Sequence, residues 1–514
     1  MILSADLLKQ YNQSRDTANK ALACHAPFVN LNFEQNGNVR ACCYNTTHIL
    51  GKWPDNSIAE IWNGDSANEL RTYIKQNNFG GGCTECGHMI EAGNYQGVRA
   101  KYYDEFATGF LSSPIQKIKE SITGRQGFPR VMEFELSNHC NLECVMCNGY
   151  FSSSIRKNRE KLPPIVSPYN EKFVDELEAF IPHLTDAKFL GGEPFMIDIY
   201  LSIWERIRKI NPKIRLHITT NGTFLNNRIK DLLEGLHAGI ILSIDSVNKD
   251  TYKKIRVNGN FEKVMENLEY FKDYTRRKKT FLSMAACPIT YNWHELPEML
   301  EFCIKENITL YFNAVFSPQS LSLREQSVAY LANVIANLEK YPVPVSQKHT
   351  HSPEQLSIRA YKDFINLLKG WLKEKQGREI VEQASTADLA DSTIQLNFTG
   401  EPLADIRYLI SEINASQNTD VRPKLLQLQH HLHSMVLALP DDMLYQGLMC
   451  YYEEKNVDDN LKDKLKKVGD LINSHPQKSK VLVQLAQFPP SGLSMFLKEM
   501  PFDSLSENLV RHFN

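Results

Sequence analysis

The chain has 514 residues, a formal net charge of −2 and 23% charged residues, a composition typical of an ordinary soluble protein. This length allows about two to four domains, and the near-neutral charge excludes a general attraction to nucleic acid or to a membrane surface. No apolar run approaches the roughly 18 residues of a membrane-spanning helix, and the first residues lack the pattern of a signal peptide. We therefore expect a cytoplasmic protein in which the 11 cysteines stay reduced.

Five of these cysteines precede residue 100, namely Cys24, Cys42, Cys43, Cys83 and Cys86. An Asn-Gly turn signal separates "FVNLNFEQ" from "VRACC", which predicts a hairpin whose two arms carry Cys24 and Cys42. Folding would bring these thiols to the C-x2-C pair, Cys83 and Cys86, at one metal site. The spacing leaves both zinc and an iron–sulfur cluster open, and it leaves Cys43 open as a substitute for Cys42.

From about residue 131 the chain alternates strands and helices. "VMEFEL" alternates apolar and acidic residues at the strand period, and five apolar or β-branched runs follow: "AKFLGG", "IRLHITTNG", "GIILSIDS", "TFLSMAAC" and "ITLYFNAV". Helical stretches such as "FEKVMENLEYFKDY" separate them. This pattern predicts an α/β fold with a partial (β/α)6 TIM-like barrel, whose chemistry lies at the carboxyl ends of the strands.

Three domains follow from these patterns. We expect a small cysteine-rich domain at 1–125, the barrel at 126–320 and an α-helical C-terminal region at 321–514, to which we assign no role. The scattered cysteines Cys287, Cys303 and Cys450 are predicted to be small, inert core residues.

The first predicted barrel strand leads into "NHCNLECVMCNGY", where Cys140, Cys144 and Cys147 form C-x3-C-x2-C. Structural zinc sites and most iron–sulfur clusters use four protein ligands. A four-iron cluster held by three thiolates leaves one iron open to a small molecule, such as the amino and carboxylate groups of an amino acid. The alternatives are a zinc knuckle completed by His139 and a chance grouping.

This loop resembles the hallmark of the radical S-adenosylmethionine (SAM) superfamily, and the resemblance extends over about residues 130–316. "GGEP", which follows the next strand, resembles the family's GGE motif, so Gly191, Gly192, Glu193 and Pro194 are expected near the methionine part of SAM. The residue types agree, since glycines expose backbone to a ligand and a carboxylate accepts hydrogen bonds from an ammonium group.

The resemblance implies further cofactor contacts at later strand ends. Thr220 and Asn221 would line the site, Ser243 and Asp245 would contact the ribose, and Arg256 would pair with the SAM carboxylate. Most family members have an aromatic residue before the third cysteine, packing near adenine. Met146 stands there in this chain, and its adaptable side chain is expected to keep that packing role.

The resemblance also implies the chemistry. One electron from the reduced 4Fe-4S cluster, supplied by a donor such as flavodoxin or ferredoxin, would cleave SAM to methionine and a 5′-deoxyadenosyl radical that abstracts a substrate hydrogen. The protein would orient SAM and the substrate and exclude solvent.

The N-terminal cysteines resemble the auxiliary-cluster regions called SPASM and twitch domains, in the shorter, single-cluster twitch form. The resemblance implies that Cys24, Cys42, Cys83 and Cys86 hold a second 4Fe-4S cluster. The position is unusual, because this region follows the barrel in most relatives and precedes it here.

We therefore expect a radical SAM oxidoreductase that oxidises or cross-links a substrate, with a ribosomally made peptide as the first choice. A dehydrogenase or epimerase acting on a small alcohol, sugar or amino acid is the alternative within the family. A non-catalytic zinc-binding scaffold is the alternative from another class, and it does not explain "GGEP" after the second strand.

Overall fold

The computed structural model describes residues 1–17, 20–45, 47–95, 97–107 and 127–388, with side chains as far as residue 377. The chain divides into two compact units, Met1–Lys369 and Gly370–Asn514. In the described part of the chain, no helix is both long enough and apolar enough to cross a bilayer. The first unit contains the predicted barrel and the N-terminal cysteines.

Within the described residues, nine strands form one sheet in the order β3-β2-β1-β4-β5-β6-β7-β8-β9. They are β1 Asn30–Glu34, β2 Asn38–Arg40, β3 Gly51–Lys52, β4 Val131–Glu135, β5 Asp186–Phe189, β6 Arg215–Thr220, β7 His237–Ser243, β8 Leu282–Ala286 and β9 Thr309–Phe312. The six strands from β4 to β9 pair in parallel with their neighbours along the chain. The predicted α/β fold is therefore confirmed, with the strand order of a partial (β/α)6 barrel.

Helices connect these strands and extend beyond them. The described α-helices are Ala5–Gln13, Ala26–Val29, Ile58–Asn63, Asp65–Lys75, Thr84–Glu91, Ser153–Asn158, Glu171–Leu177, Asp198–Ile210, Asn227–Glu234, Lys249–Ile255, Phe261–Lys278, Leu296–Glu306, Val328–Glu339 and Pro353–Asp388. Short 3-10 helices cover Arg99–Ala107, Ile181–His183, Pro194–Met196 and Trp293–Glu295. The C-terminal region is helical as predicted as far as Asp388, and its remainder lies outside the described residues.

The N-terminal hairpin is part of the barrel sheet. β1 and β2 pair antiparallel, with Phe33 opposite Val39, as the Asn-Gly turn predicts. β1 also pairs in parallel with β4 over five residues, from Asn30 opposite Val131 to Glu34 opposite Glu135. The sequence did not predict this second pairing, and the expected boundary near residue 125 falls outside the described residues.

Buried aromatic rings cover the helix-facing side of this junction. The Phe33 ring stacks on Phe134 with centroids 5.4 Å apart, and Phe134 stacks on Phe189 at 5.0 Å. Phe173, on helix Glu171–Leu177, meets the edge of Phe33 at 5.2 Å. Because side chains alternate along a strand, the residues between these phenylalanines face the barrel interior.

Substitution of Phe33 tests whether this aromatic layer joins the hairpin to the barrel. Phe33→Ala should lower the free energy of unfolding by about 3–5 kcal/mol, because it removes a fully buried ring and leaves a cavity. Phe224→Ala serves as the control, since that ring is 37% exposed. Urea denaturation should separate the two variants, and equal losses of stability would contradict this account of the junction.

Candidate metal centre

The cysteine loop leaves the carboxyl end of β4 and is held by backbone hydrogen bonds. The Val145 N–H donates to Ile255 O at 3.0 Å, and the Cys147 N–H donates to Cys144 O at 3.1 Å. Burial raises the pKa of Cys140 to about 11 and that of Cys147 to about 12, and the charges of the neighbouring cysteines add to both effects. The loop therefore gathers three thiols that repel one another when ionised, a set that favours a positively charged partner.

The two glycines of "GGEP" make room for this loop. The Gly192 N–H donates to Ser137 O at 2.9 Å, and the Glu193 N–H donates to His139 O at 2.7 Å. A Cβ atom on Gly192 would lie 2.2 Å from His139 O. Gly191 has φ +102°, and a Cβ atom there would lie 2.6 Å from Ser137 O. The backbone of the cysteine loop thus leaves no room for a side chain at Gly191 or Gly192. The sequence alone does not reveal this reason for the two glycines.

The Glu193 carboxylate is fully buried and connects the ends of two strands. It accepts hydrogen bonds from the Thr220 hydroxyl at 2.6 Å, the Asn221 N–H at 2.7 Å and the Phe195 N–H at 3.2 Å. Burial raises the pKa of Glu193 to about 7 despite these donors. Pro194, which follows it, is buried and begins the 3-10 helix Pro194–Met196.

Two polar side chains from later strand ends reach the cysteine sulfurs. The Asn221 Nδ2 atom lies 3.9 Å from Cys140 Sγ, and the Arg256 Nη1 atom lies 3.8 Å from Cys144 Sγ. Arg256 is buried and donates from Nε to Asp245 Oδ2 at 2.6 Å. Asp245, expected at the ribose, is fully buried and holds Arg256 beside the loop.

The other predicted contacts are less closely tied to the loop. Ser243 ends β7, half-buried and opposite Ala285 of β8. Met146 packs against a buried apolar group. The members of this group are Ile255, Ile289, Val315 and Leu321. Met146 therefore forms part of an apolar wall beside the third cysteine, which suits the predicted packing role.

Cys287, which the sequence predicts to be an inert core residue, lies near the three-cysteine loop. Its N–H donates to Asp245 Oδ1 at 2.7 Å, and its thiol lies within electrostatic range of Arg256, Cys144 and Cys147. Cys287 follows β8 directly, so the rule that places barrel chemistry at the carboxyl ends of strands would have found it. Cys303 is fully buried, as predicted, and Cys450 lies outside the described residues.

The four N-terminal cysteines come together in one buried apolar group. Cys24 is 7% exposed, and Cys42 and Cys86 are each 8% exposed. Cys83 is half-buried, and its sulfur accepts a hydrogen bond from Asn45 Nδ2 at 3.4 Å. Burial and then the charges of the other three raise the pKa of Cys24 well above its ordinary value.

Cys43 is not a member of this group, and its side chain is exposed. Burial raises the pKa of Cys43 to about 11, and the next contribution comes from the charge of Glu133 on β4. Arg99, Glu135 and Lys188 also act on the Cys43 thiol. The buried group thus includes Cys42 with the other N-terminal cysteines, whereas the charges that act on Cys43 include those of the barrel strands.

The donor chemistry fits iron–sulfur clusters at both places. Among the residues that the structure describes, no group of three or more His, Cys, Asp or Glu side chains is placed to hold a single metal ion. A four-iron cluster needs its thiolates farther apart than one ion does, because each thiolate bonds a different iron. Soft thiolate ligands also suit such a cluster.

Substitution of Glu193 should change the dependence of stability on pH. Its folded pKa is raised from 4.5 to about 7, so between these values the folded state keeps a proton that the unfolded chain releases. The stabilisation is full below about pH 4.5 and is lost as the pH rises through about 7. Glu193→Gln should remove this slope.

Urea denaturation of the metal-free protein at about pH 5 and pH 7.5 measures the effect. Glu269→Gln is the control, since that side chain is 66% exposed. Identical pH slopes for wild type and Glu193→Gln would contradict the assignment.

Two family models match the regions described above. The Radical SAM superfamily model matches residues 134–303, and the SPASM model, an iron–sulfur cluster-binding domain, matches residues 24–87. The first match contains the three-cysteine loop and "GGEP". The second contains the four grouped cysteines, and it lies before the barrel.

Similar curated proteins share parts of the chain. A probable GTP 3′,8-cyclase of Methanocaldococcus jannaschii is 27% identical over 233 residues, which are 42% of this chain and 73% of that protein. A GTP 3′,8-cyclase of Lactiplantibacillus plantarum is 28% identical over 141 residues, 27% of this chain and only 40% of that protein.

Similar solved structures have low overall scores. AnSMEcpe with bound AdoMet has a TM-score of 0.33 at 18% identity, covering 41% of this chain and 57% of that one. Streptococcus suis SuiB bound to precursor peptide SuiA has a TM-score of 0.33 at 14% identity, covering 51% of this chain and 59% of that one.

The two family matches imply a 4Fe-4S cluster with SAM in the barrel and an auxiliary iron–sulfur cluster in the N-terminal region. The parallel barrel sheet and the two groups of thiols agree with both. The chain therefore contains a Radical SAM domain, with a SPASM/twitch-type iron–sulfur region in front of it.

Proposed function

We propose that this radical SAM enzyme is an oxidoreductase that oxidises or cross-links its substrate between two iron–sulfur clusters. The observation that carries the proposal is the pairing of β1 with β4. β4 leads directly into the three-cysteine loop, and β1 belongs to the hairpin whose flanks carry Cys24 and Cys42. A substrate in the barrel interior would thus lie beside both groups of cysteines.

We assign three cysteines, Cys140, Cys144 and Cys147, to the cluster that binds SAM. When bound, this cluster and SAM supply radical abstraction of a hydrogen atom. Arg256 would compensate thiolate charge at Cys144, and the apolar wall at Met146 would exclude water from the adenine side. Glu193 would keep the end of β6 in place, so that Asn221 remains beside Cys140.

We assign the second cluster to the grouped N-terminal cysteines, Cys24, Cys42, Cys83 and Cys86. Cys42 is preferred over Cys43 because it shares the buried group with the other three. The burial of this group suits electron transfer without direct solvent contact. We infer that this auxiliary site accepts an electron from the oxidised substrate.

A largely buried cluster of charged side chains lies in the barrel interior, on the strands that join the two sites. Glu133 on β4 lies opposite Asn32 of β1 and Lys188 of β5 in the sheet register. Lys188 Nζ lies 2.8 Å from Glu133 Oε1, and Arg99 Nη2 lies 3.7 Å from the same oxygen. Two cations therefore surround one carboxylate. A polar substrate in the barrel interior would meet this cluster at Arg99, its most exposed member, and form charge-assisted hydrogen bonds there.

For the substrate, the SPASM/twitch type favours a ribosomally made peptide, and a small alcohol, sugar or amino acid is the alternative. The reaction would take place in the cytoplasm, with flavodoxin or ferredoxin as the electron donor. The similar proteins named as GTP 3′,8-cyclases add GTP to the compounds that should be tried.

Reciprocal cysteine variants test the two cluster assignments. Joint replacement of Cys140, Cys144 and Cys147 by Ala should abolish formation of 5′-deoxyadenosine and leave about four irons per chain, because the auxiliary thiolates remain. Cys83→Ala with Cys86→Ala should also leave about four irons, but it should keep SAM cleavage. Each variant is the control for the other.

Anaerobic iron and sulfide analysis, together with chromatography of the SAM products, measures both outcomes. Continued 5′-deoxyadenosine formation by the triple variant would sink the assignment of the SAM cluster. About eight irons in the double variant would sink that of the auxiliary cluster.

The substrate class is tested with wild-type enzyme, dithionite and SAM. Short peptides encoded beside the gene, a panel of small alcohols, sugars and amino acids, and GTP are added in turn. The expected result is peptide-dependent 5′-deoxyadenosine together with a mass loss of about two hydrogens in the peptide. Turnover only of a small molecule would replace the peptide proposal.

A further inference from the structure

A buried polar network lies behind the auxiliary cysteines and has no role in the function proposed above. Arg15 Nε donates to Asp104 Oδ2 at 2.8 Å, and a second guanidinium nitrogen bonds Asp104 Oδ1. His25, the residue after Cys24, places Nδ1 2.9 Å from the same Oδ1. The side chains of Arg15 and His25 are fully buried. These contacts connect the residue after Cys24 to both Arg15 and Asp104.

The network holds a tyrosine whose hydroxyl has no partner. The Arg15 guanidinium lies 5.3 Å from the centre of the Tyr11 ring. Tyr11 is fully buried, and its Oη atom makes no hydrogen bond within the described residues. His25 Nε2 is a second buried nitrogen without a partner in the same part of the chain. Buried donors without acceptors are rare, so an acceptor is expected beside the Tyr11 hydroxyl.

The surroundings of Tyr11 indicate which acceptor this is. Tyr11 packs in the same buried group as the four cysteines assigned to the auxiliary cluster. Its hydroxyl is within electrostatic range of Cys24 and Cys86. A four-iron cluster carries sulfide ions and thiolate sulfurs on its surface, and all of these accept hydrogen bonds.

We propose that the Tyr11 hydroxyl donates a hydrogen bond to a sulfur of the auxiliary cluster, and that Arg15, held by Asp104, positions the ring for it. This inference rests on the proposed auxiliary cluster. A hydrogen bond to sulfur and a nearby cation both stabilise the reduced, more negative state. Tyr11 thereby raises the reduction potential of the auxiliary site relative to the SAM site, which makes it the better electron acceptor.

Redox titration followed by EPR tests the proposal with the full-length, reconstituted enzyme. Tyr11→Phe keeps the ring and removes only the hydroxyl. We expect the midpoint potential of its auxiliary cluster to become more negative. The shift should correspond to about a threefold to tenfold change in the equilibrium constant for electron transfer, where tenfold equals about 59 mV for one electron. The potential of the SAM cluster and the iron content should not change.

Tyr95→Phe is the matched control. Its ring packs on Tyr11 with centroids 6.1 Å apart, but its exposed hydroxyl bonds Gln10 Oε1 at 3.3 Å. This variant should have the wild-type potentials. Arg15→Lys, which keeps the charge but loses the paired hydrogen bonds to Asp104, should shift the auxiliary potential in the same direction as Tyr11→Phe.

The outcomes separate the inference from the function on which it rests. Equal auxiliary potentials for wild type and Tyr11→Phe, at full iron content, would overturn the inference alone. Loss of about four irons from Tyr11→Phe would also overturn it, because the hydroxyl would then serve assembly rather than potential. A wild-type enzyme with about four irons would overturn the proposed auxiliary cluster, and the inference with it.

Discussion

The parallel pairing of β1 with β4 is the constraint on which the rest of the molecule depends. Five residue pairs join strands from two parts of the sequence, and the stacked rings of Phe33 and Phe134 seal the outer side. On the inner side, Asn32 Nδ2 lies 3.4 Å from Glu133 Oε2. The hairpin beside the N-terminal cysteines thus belongs to the same sheet as the barrel strands.

Buried ionisable groups with raised pKa values are a second feature of the molecule. Glu193 is fully buried and its pKa is raised to about 7. Cys140 and Cys147 are crowded by like charges, which raises their pKa values further. Arg256 lies beside Cys144, and further positive charge at Cys140 and Cys147 would favour their ionised thiolates. Iron would supply that charge when a cluster is bound, so cluster binding would favour the ionised thiolates.

Much of this arrangement could be predicted from the sequence, because the signals that identify it lie within short segments of the chain. Met132, Glu133 and Phe134 alternate between apolar and charged at the period of a strand, which predicts β4. The cysteine loop and "GGEP" could be placed because each directly follows a predicted strand. The pairing of β1 with β4 could not be predicted, because no local pattern identifies a strand partner about a hundred residues away. The contact of Tyr11 with the cysteine group could not be predicted for the same reason, because a tyrosine in an amphipathic helix gives no sign of the cysteines around it.

The sheet order also bears on how the chain is made. About a hundred residues separate Asn32 from its contact Glu133, and at about 5–20 residues per second the ribosome needs on the order of 5–20 s to supply β4 after β1. Throughout that interval the hairpin has an open edge and its thiols are uncovered. A nascent chain in this state is a target for oxidation and for wrong strand pairing. Because the auxiliary region precedes the barrel, the open edge of its hairpin is paired only after β4 has been made.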